Sequence, residues 1–151
     1  MTAPSIRSDR YHPARALPPP PLLRLIKRRS GGKIGDFEVW FVDGEIIRDH
    51  IDLDFVLGGN PGRYRYVPEG EIWIERGLRL TPTDAAPTIL HEAVECILMQ
   101  TAGATYSQGH DAANVAERAL RLAITTGKVK VTSDPMPAAR AALGEFLRTQ
   151  K

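Results

Sequence analysis

The chain contains little cysteine, no long apolar run and no large excess of charge of either sign. The single cysteine, Cys96, excludes an intramolecular disulfide framework and any cysteine-rich zinc cluster. No apolar run approaches the roughly 20 residues that a membrane helix needs. Prolines and arginines also interrupt the N-terminal region, where a secretory signal would need an apolar core. We therefore expect a cytoplasmic protein that does not bind a membrane.

Basic residues are concentrated at the start of the chain. Residues 1–33 contain eight basic side chains and one acidic side chain, whereas residues 34–151 have a net charge of −5. A run of four prolines at 18–21 favours polyproline II in the basic region. We interpret 1–32 as a basic, proline-rich arm and 33–151 as one domain of ordinary globular composition. The arm either binds an acidic protein or nucleic acid, or packs as a solvated tail on its own acidic domain.

The residues that follow the arm have the pattern of a small, mostly antiparallel β-sheet. Residues 37–42 are rich in aromatic and β-branched side chains, and Asp43-Gly44 separates them from a second extended pattern at 45–48. Two strands joined by Asp-Gly are typical of a hairpin with a type I′ turn. Further strands are predicted at 53–57, 63–67 and Glu71–Glu75, with a break at the glycine-rich residues 58–62. Strict alternation in the last strand predicts that one of its faces is solvated.

Three helices are predicted after the sheet, at about 83–102, 107–126 and 138–149. The first is capped by Thr83 or Asp84, with Pro87 in its first turn, and Gly103 lies just beyond its end. Strands followed by helices predict an α+β fold, in which two packed helices and a short C-terminal helix follow a small, mostly antiparallel sheet.

The first predicted helix carries the pentapeptide His-Glu-Ala-Val-Glu at 91–95, which suggests a metal site. His91 and Glu95 are four residues apart, so they lie side by side on one helix face. Glu92 is offset around the helix and could activate a metal-bound water without being a ligand. His110 lies near the start of the next helix, and a helical hairpin would bring it back to the first. The resulting two imidazoles and one carboxylate form a ligand set that catalytic zinc accepts.

The second helix carries two more candidates. Glu117 lies two turns beyond His110 on the same polar stripe and is either an alternative metal ligand or a partner that orients an imidazole. Tyr106 could donate a hydrogen bond to a developing oxyanion. In a structural alternative, Glu92 and Glu95 lie on a solvated face and the histidines make only local hydrogen bonds.

A sheet followed by a helix that bears His91-Glu92, and by a second helix that closes the site, resembles the zincin metallopeptidases at minimal size. This resemblance implies a zinc-dependent peptidase or related amide hydrolase with a peptide or protein substrate. His91 would be the first zinc ligand and Glu92 the general base. The resemblance also implies that a sheet-edge strand, with Glu71–Glu75 as the candidate, pairs with extended substrate. Glu95 replaces the second histidine of zincins, so iron or manganese is an alternative to zinc.

A second resemblance supports a different class of function. The pattern of Gly58-Gly59, Tyr66-Val67-Pro68, residues 71–74 and His91-Glu92 also resembles small proteins of bacterial and phage genomes, a resemblance that implies no activity. The alternative to a hydrolase is therefore a non-catalytic assembly or adaptor protein of a virion or mobile element. Its His/Glu cluster would be structural, and its basic arm would contact the partner. A nuclease is a weaker option because the chain has no phosphate-cradling glycine loop, and the oligomeric state stays open.

Overall fold

The computed structural model describes residue 26 and residues 28–76 and 80–150, which form an α+β fold as predicted. Four strands form one sheet in the order β1-β2-β4-β3: β1 (Arg29–Ile34), β2 (Phe37–Val42), β3 (Gly58–Gly59) and β4 (Glu71–Glu75). Four helices accompany them in this part of the chain: α1 (Gly44–His50), α2 (Pro82–Thr101), α3 (Tyr106–Thr125) and α4 (Met136–Thr149). The sheet is mixed rather than mostly antiparallel, because β2 and β4 run parallel.

The first strand begins inside the segment that the sequence predicts as an arm. Arg29–Ile34 pairs with β2, and the fully buried Ile26 accepts a backbone hydrogen bond from Asp43 at 2.7 Å. The end of the predicted arm therefore belongs to the sheet and its core. The rest of the arm, residues 1–25 and 27, lies outside the described residues.

The predicted hairpin at Asp43-Gly44 is wrong, because these residues begin α1. The Asp43 carboxylate accepts hydrogen bonds from the backbone N–H groups of Glu45 and Ile46 and caps the helix. The Gly44 N–H donates to Glu75 Oε1 at 2.9 Å, and a Cβ at this position would collide with the carboxylate. Aspartate and glycine suit a helix start as well as a turn, and the contact with β4 selects the helix.

The strand predictions between β2 and α2 are only partly confirmed. Segments 53–57 and 63–67 fold as turns and irregular backbone, whereas β3 falls within the segment predicted as a break. Glu71–Glu75 does form a strand, but it lies between β2 and β3 and so is not the sheet edge that the zincin resemblance implied. Its predicted solvated face is also wrong, because Trp73 is fully buried and Glu75 is only 5% exposed on that face.

Both faces of the sheet are buried, each against a different cluster of apolar side chains. Val39, Phe41, Ile72 and Ile74 pack against the helices α2, α3 and α4. The opposite face packs against α1 and the turns around residues 51–67. The second cluster comprises Ile26, Val42, Ile47, Phe55, Tyr64, Tyr66, Val67 and Trp73. The sheet is therefore a central layer, and the segments that cover its second face also reach the site described below.

Helix α2 is the central helix and is buried on all sides over most of its length. Thr81 caps it, rather than Thr83 or Asp84, by accepting a hydrogen bond from the Asp84 N–H at 3.3 Å. Pro87 consequently lies inside the helix rather than in its first turn. Among the described residues, no helix combines the length and the apolarity needed to span a membrane.

Helices α3 and α4 agree closely with the sequence predictions. Thr105 and Gln108 form a capping box at the start of α3, with each side chain bonded to the other's backbone N–H. Gly103 and Gly127 follow α2 and α3 with φ values of 67° and 79°, a conformation that glycine adopts without strain. The short connection at 102–105 makes α2 and α3 a packed helical pair.

The close approach of α2 and α3 depends on Gly109. A Cβ at this buried position would lie 3.1 Å from the Glu95 carbonyl oxygen and 3.3 Å from Met99 Cγ. We expect Gly109→Ala to lower the free energy of unfolding by about 1–3 kcal/mol, because buried backbone cannot move aside. Gly144→Ala is the matched control, since its Cβ would have room and alanine favours a helix by roughly 0.5–1 kcal/mol. Urea unfolding measures both effects, and stabilisation by both substitutions would contradict the packing argument.

Candidate metal centre

Three side chains from α2 and α3 converge on one point, as the sequence predicts. Glu95 Oε2 lies 2.8 Å from His110 Nδ1 and 3.3 Å from His91 Nε2. The two imidazole nitrogens are 3.2 Å apart. The three atoms therefore form a compact triangle of metal-ligating types.

The two helices bring these groups together in different ways. On α2 the four-residue spacing stacks His91 and Glu95 along the helix. On α3 the turn after Gly103 returns the chain, so that His110 in the first turns of the helix faces α2. Gly109, which contacts the α2 backbone beside Glu95, permits this close approach.

The spacing and the charge of the triangle both fit a divalent transition metal. Ligands bound about 2.0–2.1 Å from a tetrahedral ion are about 3.3–3.4 Å apart, close to the two longer distances observed here. The carboxylates of Glu92, Glu95 and Glu117 surround the two imidazoles, so the cluster has an excess of acidic groups that a cation would neutralise. The residues present therefore fit a metal ion.

The second nitrogen of His91 is fixed by an outer chain of charged groups. His91 Nδ1 lies 2.8 Å from Glu117 Oε1. The other oxygen of Glu117 accepts a hydrogen bond from Arg121, which also donates to Asp84 at the start of α2. A carboxylate at the outer nitrogen orients an imidazole and sets its tautomer in metal sites. Of the two predicted roles of Glu117, this geometry favours the orienting partner over the metal ligand.

The hydrogen bonds in this cluster oppose the effect of burial on the pKa values. Burial lowers the pKa of His91, but the hydrogen bonds to Glu117 and Glu95 outweigh it and raise the pKa to about 10. Burial likewise raises the pKa of Glu95, but the hydrogen bonds with His110 and His91 lower it below the usual range. The hydrogen bond to His91 lowers the pKa of Glu117. The carboxylates thus favour a positive charge at His91, which either a proton or a metal ion bound at Nε2 would supply.

Glu92 lies beside the triangle and is held by a residue that the sequence analysis missed. Asn60 Nδ2 donates to Glu92 Oε1 and to Glu95 Oε1, both at 2.9 Å, and the Asn60 side chain is fully buried. The amide oxygen of Asn60 accepts hydrogen bonds from the backbone N–H groups of Gly62 and Arg63, which fixes its orientation. Burial and the nearby Glu95 raise the pKa of Glu92 to about 7.

Burial excludes the structural alternative in which the carboxylates of α2 face solvent. Glu92 and Glu95 are only 8% and 2% exposed. His110 does not make purely local contacts either, because it reaches both His91 and Glu95 on the neighbouring helix. Cys96 is a buried packing residue. His50 is exposed at the end of α1.

A pocket of about 230 Å³ opens over the cluster. The Tyr106 hydroxyl lies in its wall, 3.4 Å from His110 Nδ1, so it stands next to a candidate ligand, and its oxyanion role stays a prediction. The Arg63 guanidinium stacks 4.7 Å from the Tyr106 ring centroid. The lining residues are Val56, Leu57, Gly58, Arg63, Tyr64, Thr88, His91, Glu92, Glu95, Tyr106, His110 and Glu117. Every predicted site residue therefore lines one pocket.

If Glu117 orients His91, its removal should weaken metal binding without abolishing it. We expect Glu117→Ala to weaken metal binding by about 10–100-fold while the protein stays folded, because His91 loses the partner that fixes its ring. Asp111→Ala, which removes an exposed carboxylate from the same helix, is the matched control and should leave the affinity unchanged. Competition titration against a chromophoric chelator measures both variants. If Glu117→Ala and wild type bind the metal with equal affinity, Glu117 does not orient His91.

Comparisons of the chain with protein-family models, with curated proteins and with solved structures found no match.

Proposed function

We propose that the protein is a metal-dependent hydrolase of the zinc metallopeptidase type. The observation that carries the proposal is the triangle of His91 Nε2, Glu95 Oε2 and His110 Nδ1 at the base of an open pocket. Zinc is the favoured ion because two imidazoles and one carboxylate form a common catalytic zinc set. Iron and manganese remain alternatives, since they also accept this ligand set.

A bound ion would polarise a substrate carbonyl and acidify water. The chain's own residues would supply the other requirements of hydrolysis. Glu92, held by Asn60 beside the ligands, would accept a proton from the attacking water and return it to the leaving group. The Tyr106 hydroxyl would donate a hydrogen bond to the carbonyl oxygen as negative charge develops there. The carboxylate and the hydroxyl both line the pocket, so one substrate could contact both.

The proposal is tested by hydrolysis of a fluorescence-quenched peptide library. Metal-loaded protein should cleave a subset of the peptides, protein treated with a chelator should not, and restored metal should restore cleavage. Protein that binds about one equivalent of metal but cleaves no peptide or simple amide under any loading would contradict the hydrolase assignment. That result would not contradict the metal site itself.

The charge of residues 1–33 supports a second candidate function, that of an assembly or adaptor protein. Deletion of residues 1–25 separates the two proposals, and it leaves Ile26 and β1 in place. An adaptor would bind a short DNA duplex or polyglutamate more weakly, as measured by fluorescence anisotropy, because the deletion removes four of the eight basic side chains. A hydrolase would keep its turnover of a small substrate after the same deletion.

A further inference from the structure

Large apolar side chains are exposed at the rim of the candidate site. Val56 is 63% exposed and Leu57 is 37% exposed, and both line the pocket that contains His91 and Glu92. Leu53, in the same segment, is 79% exposed. Exposed apolar groups that cluster at a pocket mark a surface that binds something, whereas single ones elsewhere are ordinary.

The backbone beneath these side chains is held in place from both sides. Arg48 Nη1 donates to the carbonyl oxygens of Phe55 and Val56, at 3.1 and 3.4 Å. The Leu57 carbonyl accepts a hydrogen bond from the Glu75 N–H at 2.8 Å, and the next residue begins β3. Phe55 is fully buried in the core. Because this segment of the pocket wall is already ordered, it loses little conformational entropy when a ligand binds, and its apolar contacts therefore contribute to affinity.

The wall also lies next to the predicted base. It continues directly into Gly58, where a Cβ would lie 3.3 Å from Glu92 Cγ. A ligand whose reacting group sits over Glu92 would therefore place its adjacent substituent against Val56 and Leu57. Neither side chain carries charge or a hydrogen-bonding group, so the wall favours an apolar substituent.

We propose that Val56 and Leu57 form a specificity wall, which selects a peptide or amide substrate with a large apolar side chain next to the bond that is cleaved. This inference rests on the proposed function, since it names the substrate class of the same site. The wall determines specificity and takes no part in proton transfer.

Two hydroxamates test the proposal on the metal-loaded full-length chain without requiring turnover. Acetohydroxamate offers only the metal-chelating head, whereas 4-methylpentanohydroxamate adds a leucine-sized apolar group. Calorimetry should show that wild type binds the larger compound about tenfold more tightly. We expect Val56→Ser and Leu57→Ser each to reduce this ratio to about threefold or less.

Leu122→Ser is the matched control, because Leu122 is 65% exposed on α3 and does not line the pocket. It should keep the wild-type ratio. If wild type binds the two hydroxamates with nearly equal affinity, or if both wall variants keep the tenfold difference, Val56 and Leu57 do not determine specificity. Neither result would contradict the metal site. If neither hydroxamate binds and elemental analysis finds no metal, the proposed function fails and the wall assignment fails with it.

Discussion

His91→Ala is expected to reduce the bound transition metal from about one equivalent to less than a tenth of an equivalent. The substitution removes Nε2 from the triangle and leaves only Glu95 and His110, which cannot retain an ion against dialysis. It also leaves Glu117 without the imidazole that its carboxylate contacts. Loss of an outer partner weakens metal sites by about 10–100-fold, so loss of a direct ligand should weaken binding by more.

Elemental analysis of untagged protein measures this effect, and circular dichroism checks that the variant is folded. His50→Ala is the control, since His50 is exposed at the end of α1 and does not line the pocket. We expect the control to retain the wild-type metal content. Equal metal content in His91→Ala and wild type would mean that any bound ion lies elsewhere.

Glu92→Gln should retain the metal and lower kcat by about 10²–10⁴-fold. The amide has nearly the shape of the carboxylate, and its oxygen can still accept the hydrogen bond from Asn60 Nδ2. It cannot accept a proton from water at neutral pH, so the predicted base is removed with little structural change. The metal content is expected to stay near one equivalent, because Glu92 is not a member of the ligand triangle.

The measurement is turnover of the best peptide from the library, with metal content determined on the same sample. Glu145→Gln is the matched control, because this glutamate is exposed on α4. It should leave both quantities unchanged. Full turnover by Glu92→Gln would refute the base assignment, whereas loss of metal would show that the carboxylate helps to bind the ion.

The sequence predicts the helices well because local signals determine them. Gly103 and Gly127 mark helix ends through their φ preference, and the structure confirms those ends to within a few residues. The clustering of His91, Glu95 and His110 follows from a four-residue spacing and one short helical hairpin. Both are nearly local, so the geometry could be anticipated.

The sheet could not be predicted in the same way, because contacts between distant residues determine it. Asp43-Gly44 carries the local signature of a hairpin, yet Glu75 binds the Gly44 N–H and helps to hold the segment as a helix. With α1 in place, β2 pairs in parallel with β4 rather than with its immediate successor. Alternation of residue types in Glu71–Glu75 cannot reveal that a second apolar cluster covers the other face.

Asn60 shows why part of the site was missed. It lies between Gly59 and Pro61, where the sequence predicts an interruption between strands. No local pattern connects it with Glu92 and Glu95, which lie 32 and 35 residues later in the chain. Only the packing of this turn against α2 brings its amide to Glu92 and Glu95. A buried asparagine with both polar ends engaged is a feature that only the three-dimensional structure reveals.

The central claim is that three named atoms hold one cation, and anomalous X-ray scattering from crystals grown with zinc tests it most directly. Data collected on both sides of the zinc absorption edge should give one strong peak about 2.0–2.2 Å from His91 Nε2, Glu95 Oε2 and His110 Nδ1. A well-ordered pocket with no edge-dependent peak among these atoms, or with peaks only at other positions, would contradict the account.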